Sequence, residues 1–393
     1  MTSDQYDVVI IGGGINGVGV AQASAAAGYK TLLLEKNTQL GLETSSRSSK
    51  LIHGGLRYLE TLELSLVKES LKERSLLLKL APDLVKLQKF NIPIFDSTSR
   101  SRFSLHTGLT LYALLSGLNK DAFYRQLKSH QWPDLDGLKT TQLKTVFQYQ
   151  DAQTDDFALT HAVMASAIKL GAKYQLSSQV INVEKHPAGV SIDYQQGNHQ
   201  KTIHSKVVVN ASGPWVYSLN SALSLKSPIQ KPELVQGAHL TFNTAINQAY
   251  YLEAPQDKRA VFLLPWNGQS LLGTTEHIYN GDPCQVKLLT QEQDYLLDVY
   301  QHYFPTHDKT IQSNMAGCRV LPSDLKNPHK RSREIILSTD NIQKPKILCM
   351  IGGKLTVYRK TADKVINILK PSLPDNKAIA DTSKLHLSPT EQL

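Results

Sequence analysis

"DVVIIGGGINGVGVAQASAAAGYKTLLLE", residues 7–35, decides the fold. Asp7 is followed by Val8, Val9, Ile10 and Ile11, an apolar run bounded by polar residues, which is the pattern of a strand buried in a parallel sheet. Gly12, Gly14 and Gly17 then follow the spacing GxGxxG and lead into an alanine-rich helix to Ala27, with Gly28 as its stop. A second apolar strand ends at Glu35. In such a unit the first glycine makes the turn and the second lets the backbone approach a pyrophosphate. The third lets helix and strand pack closely, with the helix N-terminus facing the anion. Glu35 lies about 20 residues further on, where an acid accepts the hydrogen bond of a ribose hydroxyl. Glycines at this spacing are a weak signal alone. Strand, glycines, helix, strand and acid in order predict a dinucleotide site.

The fingerprint leaves NAD and FAD open. A nicotinamide dehydrogenase usually continues with a third strand of the same sheet. This chain instead runs through Thr44 to Gly55, a hydroxyl-rich loop with Arg47 and Lys50. Many donors spread along a groove suit the long pyrophosphate and ribityl chain of FAD. Gly54-Gly55 closes the segment with turn chemistry.

Bulk properties bound the rest. At 393 residues the chain exceeds one ordinary core, so two domains are expected. The balance of 43 Lys+Arg against 34 Asp+Glu gives +9, which suits an anionic substrate, an anionic membrane surface or nucleic acid and selects none of them. Cys284, Cys318 and Cys349 are sparse and far apart, which argues against a disulfide framework and for a reducing compartment. No basic n-region precedes the first strand, so no signal peptide is expected. Leu109–Leu118, "LTLYALLSGL", is far short of the ~20 apolar residues of a membrane span. No His/Cys/Asp cluster has metal-ligand spacing.

Four stretches then carry a resemblance. "TSSRSSKLIHGGLRYLE" (Thr44–Glu60), "VVNASGPWV" (Val208–Val216), "LLGTTEHIYNGDP" (Leu271–Pro283) and "GGKLTVYRK" (Gly352–Lys360) occur in the order found in the FAD-dependent glycerol-3-phosphate dehydrogenases. The chain resembles that family from residue 6 to about 370. It departs in reading Glu276 in the GTTD segment, Ala211-Ser212-Gly213 in the cofactor turn, and no arginine in Asp155–Leu159. It also ends at Leu393, where the family's helical C-terminal domain would begin, so a short form is expected.

The resemblance implies an α/β fold, with a Rossmann-type, D-amino-acid-oxidase-like FAD-binding domain and an antiparallel-sheet substrate domain. The first would take residues 1–85, 150–220 and 330–393, and the second 86–149 and 221–329. FAD would be held by Gly12, Gly14, Ile15, Asn16, Gly17, Glu35 and Lys36, and by the loop residues Thr44, Ser45, Ser46, Ser49, Lys50, Leu51, Ile52, His53, Gly54 and Gly55. Val180, Ala211, Ser212, Gly213 and Trp215 would add to these, as would Gly352, Gly353, Lys354, Leu355 and Thr356. Lys50 and the hydroxyls would face pyrophosphate and ribityl, while Leu51 to Gly55 pass the ring.

The implied activity is oxidation of sn-glycerol 3-phosphate to dihydroxyacetone phosphate, with electrons passed from FAD to a membrane quinone. A phosphate asks for arginines, whose planar fork grips oxyanions in a bidentate way. Arg57, Arg319 and Arg333 match family positions at the substrate. Most arginines are merely surface charges, and "KNPHKRSRE" around Arg333 reads equally as a solvated basic loop; the apolar run behind it favours a strand entering the fold. Lys354, opening a helix, would serve flavin or phosphate, with Tyr58 beside the substrate. His239 is the expected base, since an unperturbed imidazole accepts a proton near neutrality. His53 competes for that role but sits in the cofactor loop.

Three rivals stand beside this reading. An amine or amino-acid oxidase of the same fold needs one carboxylate-holding arginine rather than three cations. An RNA-modifying flavoenzyme needs a basic stripe with interleaved aromatics, and only Lys326–Arg333 is basic, so no nucleic-acid partner is expected. A non-catalytic flavoprotein would have lost the pocket arginines. The expected location is cytoplasmic, held peripherally on the inner face of the cell membrane, and a homodimer is compatible with the sequence. Attachment is assigned to residues 95–120, where Arg100 and Arg102 precede Phe103, Leu105, Leu109, Leu111, Tyr112, Leu114, Leu115 and Leu118, the order of an interfacial helix meeting anionic lipid.

Overall fold

The computed structural model describes residues 5–60, 62–223, 225, 227–321 and 335–390. Its first sheet orders the strands Ile336–Thr339, Ile347–Ile351, His199–Asn210, Gln5–Ile11, Thr31–Leu34 and Lys173–Gln175. From Ile347–Ile351 onward each neighbouring pair is parallel. Parallel pairing needs crossovers, and helix α1 (Ile15–Ala26) supplies the first. The sheet is apolar on both faces for that reason. Val8 and Ile10 pack with α1 on one side, and Val9 and Ile11 join Val180, Val190 and Ile192 on the other. Helix α1 is buried almost all round, between helices Asp156–Lys169 and Tyr358–Leu369, which its small alanines permit. Ser178–His186, Gly189–Gln196 and His199–Asn210 make an antiparallel meander beside it.

The second sheet runs His277–Tyr279, Glu233–Phe242, Gln269–Gly273, Ala260–Trp266, Ala249–Glu253, Val85–Phe95, Leu143–Thr154 and Leu51–Ile52. It is antiparallel except between Ala249–Glu253 and Val85–Phe95. Ile311–Leu321 pairs along Glu233–Phe242 and places Arg319 opposite Val235. Leu51 and Ile52, expected within the dinucleotide-binding part, pair with Gln153 and Ala152 in this second sheet. The hydroxyl loop therefore ties the two sheets together.

Leu56–Leu59 is a single 3₁₀ turn and α2 spans Leu64–Leu80, because Leu62 adopts a left-handed φ of 58° that no α-helix tolerates. Helix α3 (Arg102–Leu115) is capped by Ser101, whose hydroxyl accepts from the Ser104 N–H at 3.0 Å. Among the described residues no helix is long and apolar enough to cross a membrane.

The interfacial reading of α3 needs correction. Leu105, Leu109 and Tyr112 lie on its buried face. Leu111 and Leu115 are half-buried against the same core, while Phe103, Leu114 and Leu118 are exposed. Arg100 is not offered to lipid: it pairs with Glu60 at 2.7 Å and Glu253 at 3.1 Å beside the Tyr251 ring. A one-dimensional order of cations and leucines cannot say which face of a helix they occupy.

Candidate active site

Two glycines explain the cradle. Gly12 adopts φ of 108°, and a Cβ there would stand 2.7 Å from Ala211 O. A Cβ on Gly17 would stand 1.9 Å from Gly12 O, so α1 reaches the strand only because position 17 is bare. Glu35 is locked at the cavity wall. Its Oε2 accepts the Gly13 N–H at 2.5 Å and its Oε1 the Asn37 N–H at 2.8 Å. Ser45 Oγ accepts the Ile15 N–H at 2.9 Å, joining the hydroxyl loop to the first turn of α1.

One continuous cavity of about 750 Å³ is lined by this cradle and also by Arg57, Tyr58, His239, Arg319 and Lys354. The residues expected to hold FAD line it, with five exceptions: Gly17, Ser46, Lys50, Ile52 and Gly54. Arg333 lies outside the described residues. The polar lining fits an extended dinucleotide: bare glycine backbone, a carboxylate locked in place, hydroxyls, and the buried acceptor Asn16 Oδ1, which has no hydrogen-bond partner among the described residues.

The five exceptions support the site from behind. Lys50 does not face the pyrophosphate: its Nζ donates to Asp156 Oδ1 and to Ser46 O, each at 2.5 Å. The Asp156 side chain is fully buried, and a buried carboxylate demands a counter-charge, which draws the lysine inward. Burial raises the Asp156 carboxyl above its usual range even against the lowering pull of Lys50 and the Ser48 hydrogen bonds. Ser46 Oγ donates to the nearby Leu42 and Glu43 carbonyls. Ile52 is core. The Gly54 N–H donates to the Tyr112 hydroxyl at 2.8 Å, which donates to Asp151 at 2.7 Å, itself paired with Arg74 at 2.8 Å.

At the other end of the cavity, chain-distant cations converge on one acid. Glu276 Oε1 lies 3.1 Å from Arg319 Nη1 and 3.8 Å from Arg57 Nη1. Arg319 Nη2 donates to Thr274 Oγ1 at 3.1 Å and to Thr275 O at 2.8 Å. Lys354 Nζ sits 3.7 Å from the centroid of the Tyr58 ring, a cation–π contact. The helix behind Lys354 begins as a 3₁₀ turn, Leu355–Val357, whose Thr356 Oγ1 accepts the His53 N–H at 3.1 Å.

His239 is buried, with Nε2 and Ser49 Oγ 3.0 Å apart. Burial first, then the charges of Arg319 and Lys50, push its pKa down to about 3. The imidazole is therefore neutral at physiological pH and able to accept a proton. Among the described residues Nδ1 has no hydrogen-bond partner.

Sequence reasoning passed over two cavity residues. Arg259 lines the wall and donates to Glu276 O at 3.2 Å, held from behind by Asp257 and the Tyr295 ring. Its position just ahead of an apolar strand was the available signal. In the sequence Glu276 stands out as a departure from GTTD, and an acid closing a glycine-threonine segment among expected cations is itself a cue. Among the described residues no cluster could hold a metal ion.

A Rossmann-type cradle opening into a cation-rich cavity under an antiparallel sheet defines a dinucleotide-dependent oxidoreductase. The family model described as FAD dependent oxidoreductase matches residues 7–359. A glycerol-3-phosphate dehydrogenase of Synechocystis sp. is 36% identical over 397 residues, covering 94% of this chain and 71% of that protein. An aerobic glycerol-3-phosphate dehydrogenase of Staphylococcus saprophyticus is 31% identical, with 95% and 68% covered. The crystal structure of the Bacillus halodurans glycerol-3-phosphate dehydrogenase complexed with FAD superposes with a TM-score of 0.77 at 26% identity, covering 98% of this chain and 68% of that one. The chain belongs to the FAD-dependent oxidoreductases, in their glycerol-3-phosphate dehydrogenase family. Its cofactor is FAD.

Proposed function

We propose that this protein oxidises sn-glycerol 3-phosphate to dihydroxyacetone phosphate and delivers the electrons to a membrane quinone. The observation that carries the reading is the convergence of Arg57 and Arg319 on a single carboxylate oxygen inside the cofactor cavity. Two forks aimed at one oxyanion position suit a phosphate better than a neutral or cationic amine substrate. On this reading the chain divides into an FAD-binding part (1–85, 150–220, 330–393) and a substrate part (86–149, 221–329).

Arg57 and Arg319, with Lys354, hold the phosphate and so fix the alcohol carbon along the cavity. Arg333 is assigned to the same anion from its sequence position. Tyr58 keeps Lys354 in place through its ring face. His239, neutral because of its surroundings, takes the hydroxyl proton, with Ser49 at Nε2 orienting the ring. Substrate phosphate on Arg319 offsets one of the charges that weaken this base. Bound FAD supplies the acceptor for the hydride that leaves the alcohol carbon.

A quinone acceptor requires access to the bilayer, and α3 offers Phe103 and Leu114 to solvent, with Leu118 exposed just beyond its end. We assign peripheral attachment to this face, on the cytoplasmic side, with the half-buried Leu111 and Leu115 as its floor. The test is anaerobic addition of glycerol 3-phosphate to the purified flavoprotein, followed by a soluble quinone. Bleaching of the flavin band and its return with quinone are expected. A band that stays unbleached would overturn the substrate, and one that fails to return with quinone would overturn the acceptor.

A further inference from the structure

We propose that Glu276 is an internal anion of the substrate site. Its carboxylate holds Arg57 and Arg319 while no substrate is bound, yields them to an incoming tetrahedral dianion, and reclaims them as product leaves. The identity of that dianion as a substrate phosphate rests on the reading above.

The geometry separates this role from simple propping. Arg319 keeps its seat without Glu276. Its Nη2 is held by Thr274 Oγ1 and Thr275 O, and it lies over Gly237, where a Cβ would come within 2.1 Å. Its Nη1 meets the acid at 3.1 Å. The Arg57 contact, 3.8 Å to the same oxygen, is longer than a hydrogen bond, so it is Coulombic and has no fixed direction to lose. The Glu276 main chain is held by Arg259 through its carbonyl oxygen, separately from the carboxylate contacts.

A carboxylate oxygen shared by two guanidiniums fills the place that a phosphate oxygen needs. Two anions cannot use the same forks without mutual repulsion, whether Glu276 swings aside or stays nearby. In both cases Glu276 lowers the affinity of the site for anions. A prop would do the opposite, since its loss would let the arginines wander and weaken binding. The sign of the effect decides between them.

The experiment uses the FAD-loaded protein and its Glu276→Gln and Glu276→Asp variants. Gln keeps an acceptor for Arg319 and removes the charge, whereas Asp keeps the charge and withdraws it. Sulfate, a dianion at all working pH values, is titrated while the flavin absorption band is followed, so the reading needs no turnover. In Glu276→Gln the sulfate Kd should fall about tenfold, the scale of one charge-assisted contact, with a smaller fall in Glu276→Asp. The KM for glycerol 3-phosphate should fall with it, and product inhibition should deepen. An unchanged or raised sulfate Kd in both variants would overturn the inference and make Glu276 a prop. A wild type that binds sulfate but is not bleached by glycerol 3-phosphate would overturn the substrate reading instead, while the sulfate constants still decide the role of Glu276.

Discussion

Replacing Tyr112 by Phe removes one oxygen from the middle of a buried chain that starts at the cofactor loop. The hydroxyl accepts the Gly54 N–H at 2.8 Å and donates to Asp151 Oδ2 at 2.7 Å. Burial, reinforced by Asp151, holds the phenol well above its ordinary pKa, so it stays protonated and remains a donor to the carboxylate. The ring itself packs with Leu71, Phe147 and Tyr149, and Phe preserves that contact. What is lost is one partner each for a buried N–H and a buried carboxylate. An orphaned amide costs roughly 1–3 kcal/mol and a bond to a charged group about 1.5–3 kcal/mol. Arg74, fully buried and 2.8 Å from the other Asp151 oxygen, still neutralises the charge, which points to the lower half of the sum, ~3 kcal/mol. With unfolding entropy of about 2.1 cal/mol/K per residue, 393 residues translate that into a Tm lower by ~4 °C. The assay is thermal unfolding with FAD fluorescence as second probe, since Gly54 belongs to the loop that closes on the cofactor cavity. Flavin release is expected to move down in step with unfolding. A Tm within about 1 °C of wild type, with unchanged flavin release, would refute the bridging role and the magnitude together.

Other perturbations follow from the same geometry. Gly17→Ala should yield a protein without yellow colour, because its Cβ meets Gly12 O; normal FAD content on purification would contradict the cradle. Arg319→Lys keeps charge and loses the fork, so kcat/KM for glycerol 3-phosphate should drop roughly tenfold to hundredfold, as steady-state kinetics would show. His239 has its folded pKa lowered to about 3 from an ordinary 6.5, so the unfolded chain binds the extra proton between those values. Stability from its neutral form is complete above pH 6.5 and declines toward pH 3 by up to ~1.4 kcal/mol per pH unit. Urea midpoints should therefore fall more steeply from pH 7 to 5 in wild type than in His239→Gln, and parallel declines would reject this. Phe103→Asp with Leu114→Asp should abolish flotation with anionic liposomes at low salt; a double variant that floats like wild type would acquit α3.

What the linear sequence determined is what depends on near neighbours. Val8 to Ile11, Gly12, Gly14, Gly17 and Glu35 form one strand-turn-helix-strand unit within 31 positions, Gln5–Ile11 followed by Glu35, and their chemistry is local. Glycine at position 17 is dictated by the Gly12 carbonyl five residues away, so spacing was enough to read that contact, whereas Gly12 is pressed by Ala211 from a distant part of the chain. The character of the Thr44–Gly55 loop was legible too, because four serines and two cations cannot be a core.

The tertiary structure decided where each charge of that loop and of the cavity goes. Lys50 turned from the pyrophosphate to Asp156 because a carboxylate 106 positions away is buried without water and its field falls off with distance in space, not along the chain. Arg57, Glu276 and Arg319 came together only when the second sheet brought a 3₁₀ turn and two strand regions together. The exposed apolar side chains of α3 and the turn after it shrank to Phe103, Leu114 and Leu118 because packing against α2 and the sheet consumed the others. Local periodicity names a helix and its apolar residues, and the neighbours that arrive from elsewhere in the fold choose which of them meet water.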